Sequence, residues 1–206
     1  MEQNPITSVN GVTPLDVDLI FEANGIENVG DVYNLTRQLA NLPRSHTLPF
    51  NKRESVLEHM ARTVYLTDFM HHNNLITPAL TSEEHRSVRD YMMYHDVHEI
   101  VTGDIPYFVE KALGDQPSKV RDRIMGHFGV NIQLSPELFQ LAKMIDAFEF
   151  LLTVLEDAHM KDDGFAGKRL SKVAENAGGI IEKYLENSLK YKIDLDAFEA
   201  IAEKKV

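Results

Sequence analysis

The segment from Ser135 to Leu155 constrains the fold more than any other, because it predicts a long helix that is apolar on more than one side. Ser135 suits the N-cap, Pro136 the first helical position, and Glu137 a first turn that favours negative charge. Its apolar rows are formed by Leu138, Ala142, Ile145, Phe148, Leu152 and Leu155. Such a helix needs other helices around it, so the segment predicts the buried centre of a helical bundle.

Helical periodicity also dominates the rest of the chain, and no convincing set of alternating strands is present. Ser55 with Glu58 three residues later predicts a capping box at the start of a helix that runs to about His72. Further helices are expected at 16–23, 31–42, from 81 or 82 into a break at 103–106, and at 107–113, 117–128, 168–189 and 194–203. We therefore predict an all-α fold of roughly eight or more helices.

The predicted helices give no sign of a second domain. We expect residues 1–206 to form one domain, with a core at about 42–160. Residues 1–41 would be an N-terminal extension and residues 161–206 a set of C-terminal helices.

Composition restricts the partners and the chemistry. The net charge of −11, from 21 basic and 32 acidic residues, argues against a nucleic-acid polymer or an anionic membrane as partner. The chain has no cysteine, which excludes disulfides, thiolate nucleophiles and cysteine-based metal sites, so any metal must be held by His, Asp and Glu. The N-terminus lacks the pattern of a secretory signal, and the most apolar stretch, FEFLLTVL, is too short to span a bilayer. We expect a cytoplasmic protein, or one in the host cytoplasm if a phage encodes it.

Three predicted helices carry a metal-capable side chain where an apolar residue is expected. His59 lies in the first turns of one helix, His95 and Asp96 lie at the end of the next, and Asp146 lies in the central helix. Buried groups of this kind are costly unless they are paired or bind a metal. Brought together by packing, they would form a site of nitrogen and oxygen donors that leaves coordination positions free for water and phosphate.

Each of these residues also has a structural interpretation. A single core-facing histidine such as His59 is more often hydrogen-bonded within the core than bound to a metal. Asp146 could form a salt bridge to Lys143 or Arg62. The residues alone therefore leave a metal site and structural pairing as open alternatives.

Longer motifs around these residues resemble a known family. SVLEH, ending at His59, is followed by YHDVHEIVTGDIP at 94–106 and by the K-x-x-D pattern of Lys143 to Asp146. Arg44 lies fifteen residues before His59. Over about 42–157 the chain resembles the HD-domain metal-dependent phosphohydrolases, closest to the bacterial 5′-deoxynucleotidase branch and the phage dATP-hydrolysing HD enzymes.

The resemblance implies an HD-domain helical bundle with one divalent metal. His59, His95, Asp96 and Asp146 would be the ligands of Mn, Co, Fe, Ni or Zn, with Mg as a further candidate. Glu99 would orient or deprotonate the attacking water.

The same resemblance assigns the substrate contacts. Arg44 and Lys143 would bind phosphate, and Thr102 would shape its turn or contact phosphate. Asp104 would stabilise or protonate the leaving oxygen. The chain departs from the branch at Ser45, which stands where a tryptophan packs on the sugar, and His46 is the nearby ring that would take its place in the pocket. Sugar and base selectivity are therefore not carried over.

The leading interpretation is hydrolysis of 5′-deoxynucleotides, mainly deoxynucleoside monophosphates, to the deoxynucleoside and phosphate. The first alternative is a dNTP (dATP-type) triphosphohydrolase or a stepwise phosphatase of a phage nucleotide-pool pathway. The second is a non-catalytic oligomerisation or binding module built on the HD fold. The expected partners are a small-molecule deoxynucleotide and, because relatives form homo-oligomers, further copies of the chain.

Overall fold

The computed structural model of the chain describes residues 29–45, 48–50, 53–159 and 165–198. The helix expected at 16–23, the end of the helix expected at 194–203 and the predicted pocket residue His46 lie outside these ranges.

Helices dominate the described residues, and this confirms the all-α prediction. They are α1 (Val29–Asn41), α2 (Val56–His72), α3 (Ser82–Tyr94), α4 (Glu99–Thr102), α5 (Tyr107–Leu113), α6 (Gln116–His127), α7 (Pro136–His159) and α8 (Phe165–Glu186). Two short strands, β1 (Ile76–Thr77) and β2 (Lys192–Ile193), pair antiparallel. This pairing holds the segment after α8 against the connection between α2 and α3.

The starts of α2 and α3 are fixed by local hydrogen bonds. The Ser55 hydroxyl accepts from the Glu58 amide at 3.2 Å, and the Glu58 carboxylate accepts from the Ser55 amide at 2.8 Å. Thr81 and Glu84 form the same reciprocal pair at the start of α3. Two capping boxes therefore satisfy amides that would otherwise lack partners, and they place His59 in the second turn of α2.

The end of α3 differs from the expectation of a helix continuing to Gly103. α3 ends at Tyr94, and tight bonds follow, with Val97 donating to the Tyr94 carbonyl at 3.1 Å and Glu99 to the Asp96 carbonyl at 3.0 Å. Consecutive residues of a regular helix point in different directions, whereas this tightened segment allows His95 and Asp96 to reach the same point.

The central helix lies where the sequence predicts it. Leu141, Met144 and Ile145 of α7 are fully buried, and α2, α3 and α8 pack around this helix. Leu155, assigned to an apolar row of this helix, is exposed instead. α1 joins a second cluster through Leu39, so the bundle continues on the N-terminal side. None of the helices in the described ranges is long and apolar enough to cross a membrane.

Candidate metal centre

Two histidines, one in α2 and one just after the end of α3, face each other inside the bundle. Nε2 of His59 lies 3.2 Å from Nε2 of His95, and both side chains are buried. Nδ1 of His59 lies 2.7 Å from a Glu149 carboxylate oxygen, and Nδ1 of His95 lies 2.9 Å from the Met92 carbonyl oxygen. Both of these partners accept hydrogen bonds, so each Nδ1 donates, and each Nε2 presents a lone pair when its ring is neutral. Two lone pairs at this distance call for a cation between them.

Two carboxylates lie close to the same pair of Nε2 atoms. Asp96 Oδ2 lies 3.1 Å from Nε2 of His95 and 3.5 Å from Nε2 of His59. Asp146 Oδ1 lies 3.2 Å from Nε2 of His59 and 3.9 Å from Nε2 of His95. Ligands held at about 2.0–2.2 Å from an ion in tetrahedral geometry are separated by about 3.3–3.6 Å. His59, His95 and Asp96 have ligand atoms that all lie within 4.8 Å of one another, a spacing that suits one divalent ion, and Asp146 adjoins them through its contacts with the two histidines.

The charges of these groups favour a cation. Burial opposes ionisation of Asp146, but Lys143 and the histidines hold the pKa of Asp146 well below its usual range. Burial also opposes ionisation of Asp96, and His95 lowers the pKa of Asp96 below its usual value. Burial and the Arg44 charge lower the pKa of His59, but hydrogen bonds to Asp146 and Glu149 raise it to about 9. A proton therefore occupies this place readily, and a metal would displace it.

Glu99 gives independent evidence that the space beside the candidate ligands binds an ion or a water molecule. Its Oε2 is buried and has no hydrogen-bond partner among the residues that the structure describes. Burial raises the pKa of Glu99 to about 10, with Asp96 and Asp104 adding to the effect. Buried oxygens are normally satisfied by protein, water or an ion, so this atom fits a site that holds a metal and its water.

Two cations adjoin the ligand Asp146. The Arg44 guanidinium lies 3.7 Å from Asp146 Oδ1 and 3.6 Å from Glu149 Oε2, and it stands 5.4 Å above the Phe150 ring. The Lys143 ammonium lies 3.3 Å from Asp146 Oδ2. The Lys143 contact was the structural alternative for Asp146, and it is present together with the histidine contacts. These two cations form a patch suited to phosphate beside the centre.

The segment after Arg44 is tied to the turn at Gly103. The Ser45 amide donates to the Asp104 carboxylate, with Ser45 at a φ of 51° and Gly103 at a φ of 70°. The Thr102 hydroxyl donates to the Gly103 carbonyl at 2.9 Å, which shapes this turn. Arg44 and Asp104 are thereby brought to the same side of the site.

Sequence reasoning missed two buried acids. Glu149 contacts His59, and its other oxygen accepts from the Thr153 hydroxyl at 2.9 Å. Glu54 lies 3.0 Å from the Arg62 guanidinium, which also reaches Glu149 at 3.8 Å, so Arg62 pairs with these acids. The available signal was a lone glutamate one turn after Asp146 in an otherwise apolar run.

Comparisons with known proteins identify the fold. Residues 36–133 match the HD domain family. The structure is similar to the cyanophage S-2L HD phosphohydrolase DatZ bound to dA and one catalytic Zn²⁺ ion, with a TM-score of 0.56 and 17% identity, covering 83% of this chain and 92% of that chain. It is also similar to the PH0347 protein from Pyrococcus horikoshii OT3, with a TM-score of 0.55 and 17% identity, covering 75% of this chain and 92% of that chain. No curated protein sequence matches the chain. At these identities the structural likeness establishes the fold.

Proposed function

The chain belongs to the HD-domain superfamily, and on that premise we propose that it is a divalent-metal-dependent phosphohydrolase acting on 5′-deoxynucleotides. The main substrates would be deoxynucleoside monophosphates, and the products a deoxynucleoside and phosphate. The observation that supports the proposal is the contact of His59 with His95, Asp96 and Asp146, beside a Glu99 oxygen that has no hydrogen-bond partner in the described part of the chain.

A bound divalent ion would polarise the phosphate and lower the pKa of a water molecule. Glu99 would take a proton from the water that attacks phosphorus, because a cation in the site would offset the burial and the neighbouring negative charges that raise the pKa of this carboxyl. Asp104 would stabilise the O5′ atom as the P–O5′ bond breaks, or protonate it when the carboxyl group carries a proton. Arg44 and Lys143 would bind the remaining phosphate oxygens and offset the acidity of the chain.

One alternative within this class concerns the number of phosphates. DatZ, which shares the fold, was solved with dA, a nucleoside that carries no phosphate. Because a bound nucleoside does not indicate how many phosphates a substrate carries, a dNTP triphosphohydrolase or a stepwise phosphatase acting at this site is the second candidate. A non-catalytic binding module is the third, and it is disfavoured because the chain retains all four candidate ligands together with Glu99 and Asp104.

The test is an assay of the protein loaded with Mn²⁺ or Co²⁺. The substrates are the mono-, di- and triphosphates of the four deoxynucleosides and of adenosine. Asp96→Ala is the control variant, and products are separated by chromatography. We expect orthophosphate from deoxynucleoside monophosphates and none from the variant. Release of triphosphate would select the second candidate. A folded protein that binds neither ion and hydrolyses nothing would select the third.

The identity of the metal and the oligomeric state are tested separately. Metal analysis of protein purified without added ions would distinguish Mn, Co, Fe, Ni, Zn and Mg. Light scattering during size-exclusion chromatography would test the expected homo-oligomer.

A further inference from the structure

A cavity of about 380 Å³ adjoins the metal centre and contains none of the predicted site residues apart from His95. It lies between the end of α3, helix α6 and the segment that leads into α7. Three tyrosine and phenylalanine side chains line it, Tyr91, Tyr94 and Phe139, together with the polar residues Arg121, Asp122, Asn131 and Gln133. Its volume is within the range of small-molecule sites, about 300–1,000 Å³.

The aromatic side of the cavity continues directly into the metal centre. The Tyr91 ring stacks on the His95 imidazole, with centroids 5.9 Å apart and an angle of 26° between the planes. Phe139 packs edge-on against Tyr91 at 5.8 Å. Burial raises the pKa of the Tyr91 hydroxyl, and the charges of Lys143 and Asp146 also act on it. A ligand could therefore reach from the Lys143 side of the metal centre onto these rings.

The cavity offers what a nucleobase requires. Aromatic rings stack on the face of any base, and the side-chain amides of Asn131 and Gln133 supply both donors and acceptors for a base edge. Sulfate-sized anions would gain nothing from the rings, and a purely apolar ligand would leave the amides unsatisfied. The chemistry of the lining thus favours a flat, polar-edged ring.

The cavity also bears on the lack of an aromatic side chain at position 45, next to Arg44. Ser45 stands where the related enzymes have a sugar-packing tryptophan, and the chain contains no tryptophan at all. Beside Arg44 the Phe150 ring is engaged by the guanidinium, so a second aromatic surface would have to come from another part of the molecule. Tyr91 and Phe139 provide one that adjoins a metal ligand.

We propose that the nucleobase of the substrate binds in this cavity, stacked on the Phe139 ring with Tyr91 beside it, and with Asn131 and Gln133 at its edge. This inference rests on the proposed function for the phosphate end of the same ligand. It assigns base selectivity to residues 130–134 and to the start of α7, neither of which contains a site residue predicted from the sequence.

The test compares Phe139→Ala and Phe139→Tyr, with Tyr65→Ala as the matched control at a highly exposed aromatic position of α2. Binding of each deoxynucleoside, which carries no phosphate, is measured by calorimetry on the metal-loaded protein. Hydrolysis of the matching nucleotide is compared with hydrolysis of 2-deoxyribose 5-phosphate, which carries no base. Unfolding midpoints show whether each variant is folded.

We expect Phe139→Ala to weaken deoxynucleoside binding about tenfold or more, because stacking contributes on that scale. Phe139→Tyr keeps the ring and should retain binding, and Tyr65→Ala should match the wild type. The preference for nucleotide over the base-free ester should fall in Phe139→Ala. Unchanged binding in a folded Phe139→Ala protein, or a wild type that binds no deoxynucleoside, would overturn the inference.

The two proposals fail in different ways. If deoxynucleoside binding depends on Phe139 but no phosphate is released from any compound, the cavity assignment stands and the phosphohydrolase proposal falls. If nucleotides are hydrolysed and Phe139→Ala loses equal activity on the base-free ester, the phosphohydrolase proposal stands and the cavity assignment falls.

Discussion

The Glu149 carboxylate lies 2.7 Å from Nδ1 of His59, although the two residues are 90 positions apart in the chain. Both side chains are buried, and Glu149 is held in turn by the Thr153 hydroxyl and by Arg44. A carboxylate behind a ligating histidine fixes the orientation of the ring and increases its basicity. We therefore expect Glu149 to be a positioning residue for the proposed metal centre.

Replacing Glu149 by Gln should weaken metal binding by about 10–100-fold, the usual effect of losing such a carboxylate. The amide keeps the size of the side chain but removes the charge that holds His59. Competition with a chromophoric chelator measures the Kd for Co²⁺ or Zn²⁺. Glu156→Gln, at an exposed position of the same helix, is the matched control. Equal Kd values for the two variants would remove Glu149 from this role.

Metal should stabilise the fold, because the candidate ligands come from α2, from α7 and from the segment just after α3. An ion at about 100 times its Kd adds about 2.7 kcal/mol to the free energy of unfolding, or about 5–10 °C in Tm for a chain of this size. Addition of a chelator should reverse the shift, as followed by scanning calorimetry. Asp146→Ala should show no shift with either addition. A shift of the same size in this variant would mean that the ion binds elsewhere.

Glu99→Gln should reduce kcat by about 10²–10⁴-fold while the bound metal stays stoichiometric, because a proton acceptor is lost and no ligand is removed. The readout is single-turnover kinetics combined with metal analysis of the same sample. Glu110→Gln on α5 changes an exposed glutamate nearby and serves as the control. Loss of metal together with activity would instead make Glu99 a ligand.

Glu84 gives a prediction for stability at low pH. Its carboxylate accepts hydrogen bonds from the Tyr191 hydroxyl, the Thr81 amide and the Lys190 ammonium, which lower the pKa of Glu84 from 4.5 to about 2. A carboxyl whose pKa is lower in the folded state stabilises that state above its unfolded pKa and loses the effect as it protonates. The Tm difference between the wild type and Glu84→Gln should thus be full above pH 4.5 and shrink as the pH falls towards 2.

Thermal melts at several pH values between 2 and 7 measure that difference. Glu83→Gln, at the adjacent exposed residue, controls for the loss of one negative charge at the start of α3. A gap that stays constant over this range would show that the contacts to Tyr191 and Lys190 do not depend on the charge of Glu84.

Local features of the fold could be predicted from the sequence, and distant ones could not. The starts of α2 and α3 follow from capping pairs three residues apart, so the sequence contains the whole interaction. The end of α3 at Tyr94 depends on packing around His95, which no local pattern encodes. The four candidate ligands come together as the resemblance implied, and their binding of a metal stays a prediction.

Glu149 and the aromatic cavity escaped prediction for a related reason. The role of Glu149 depends on its contact with His59 on another helix, and Tyr91 and Phe139 have the sequence spacing of ordinary packing residues. Periodicity identifies the buried side of a helix, but it does not indicate which buried residue borders a cavity or supports a ligand.

The hydrogen bond from the Ser45 amide to the Asp104 carboxylate joins the segment that presents Arg44 to the turn that presents Asp104. If these residues act as proposed, phosphate capture and proton delivery to the leaving group are mechanically linked. An insertion or deletion in the 45–53 segment would then displace the acid as well as the arginine.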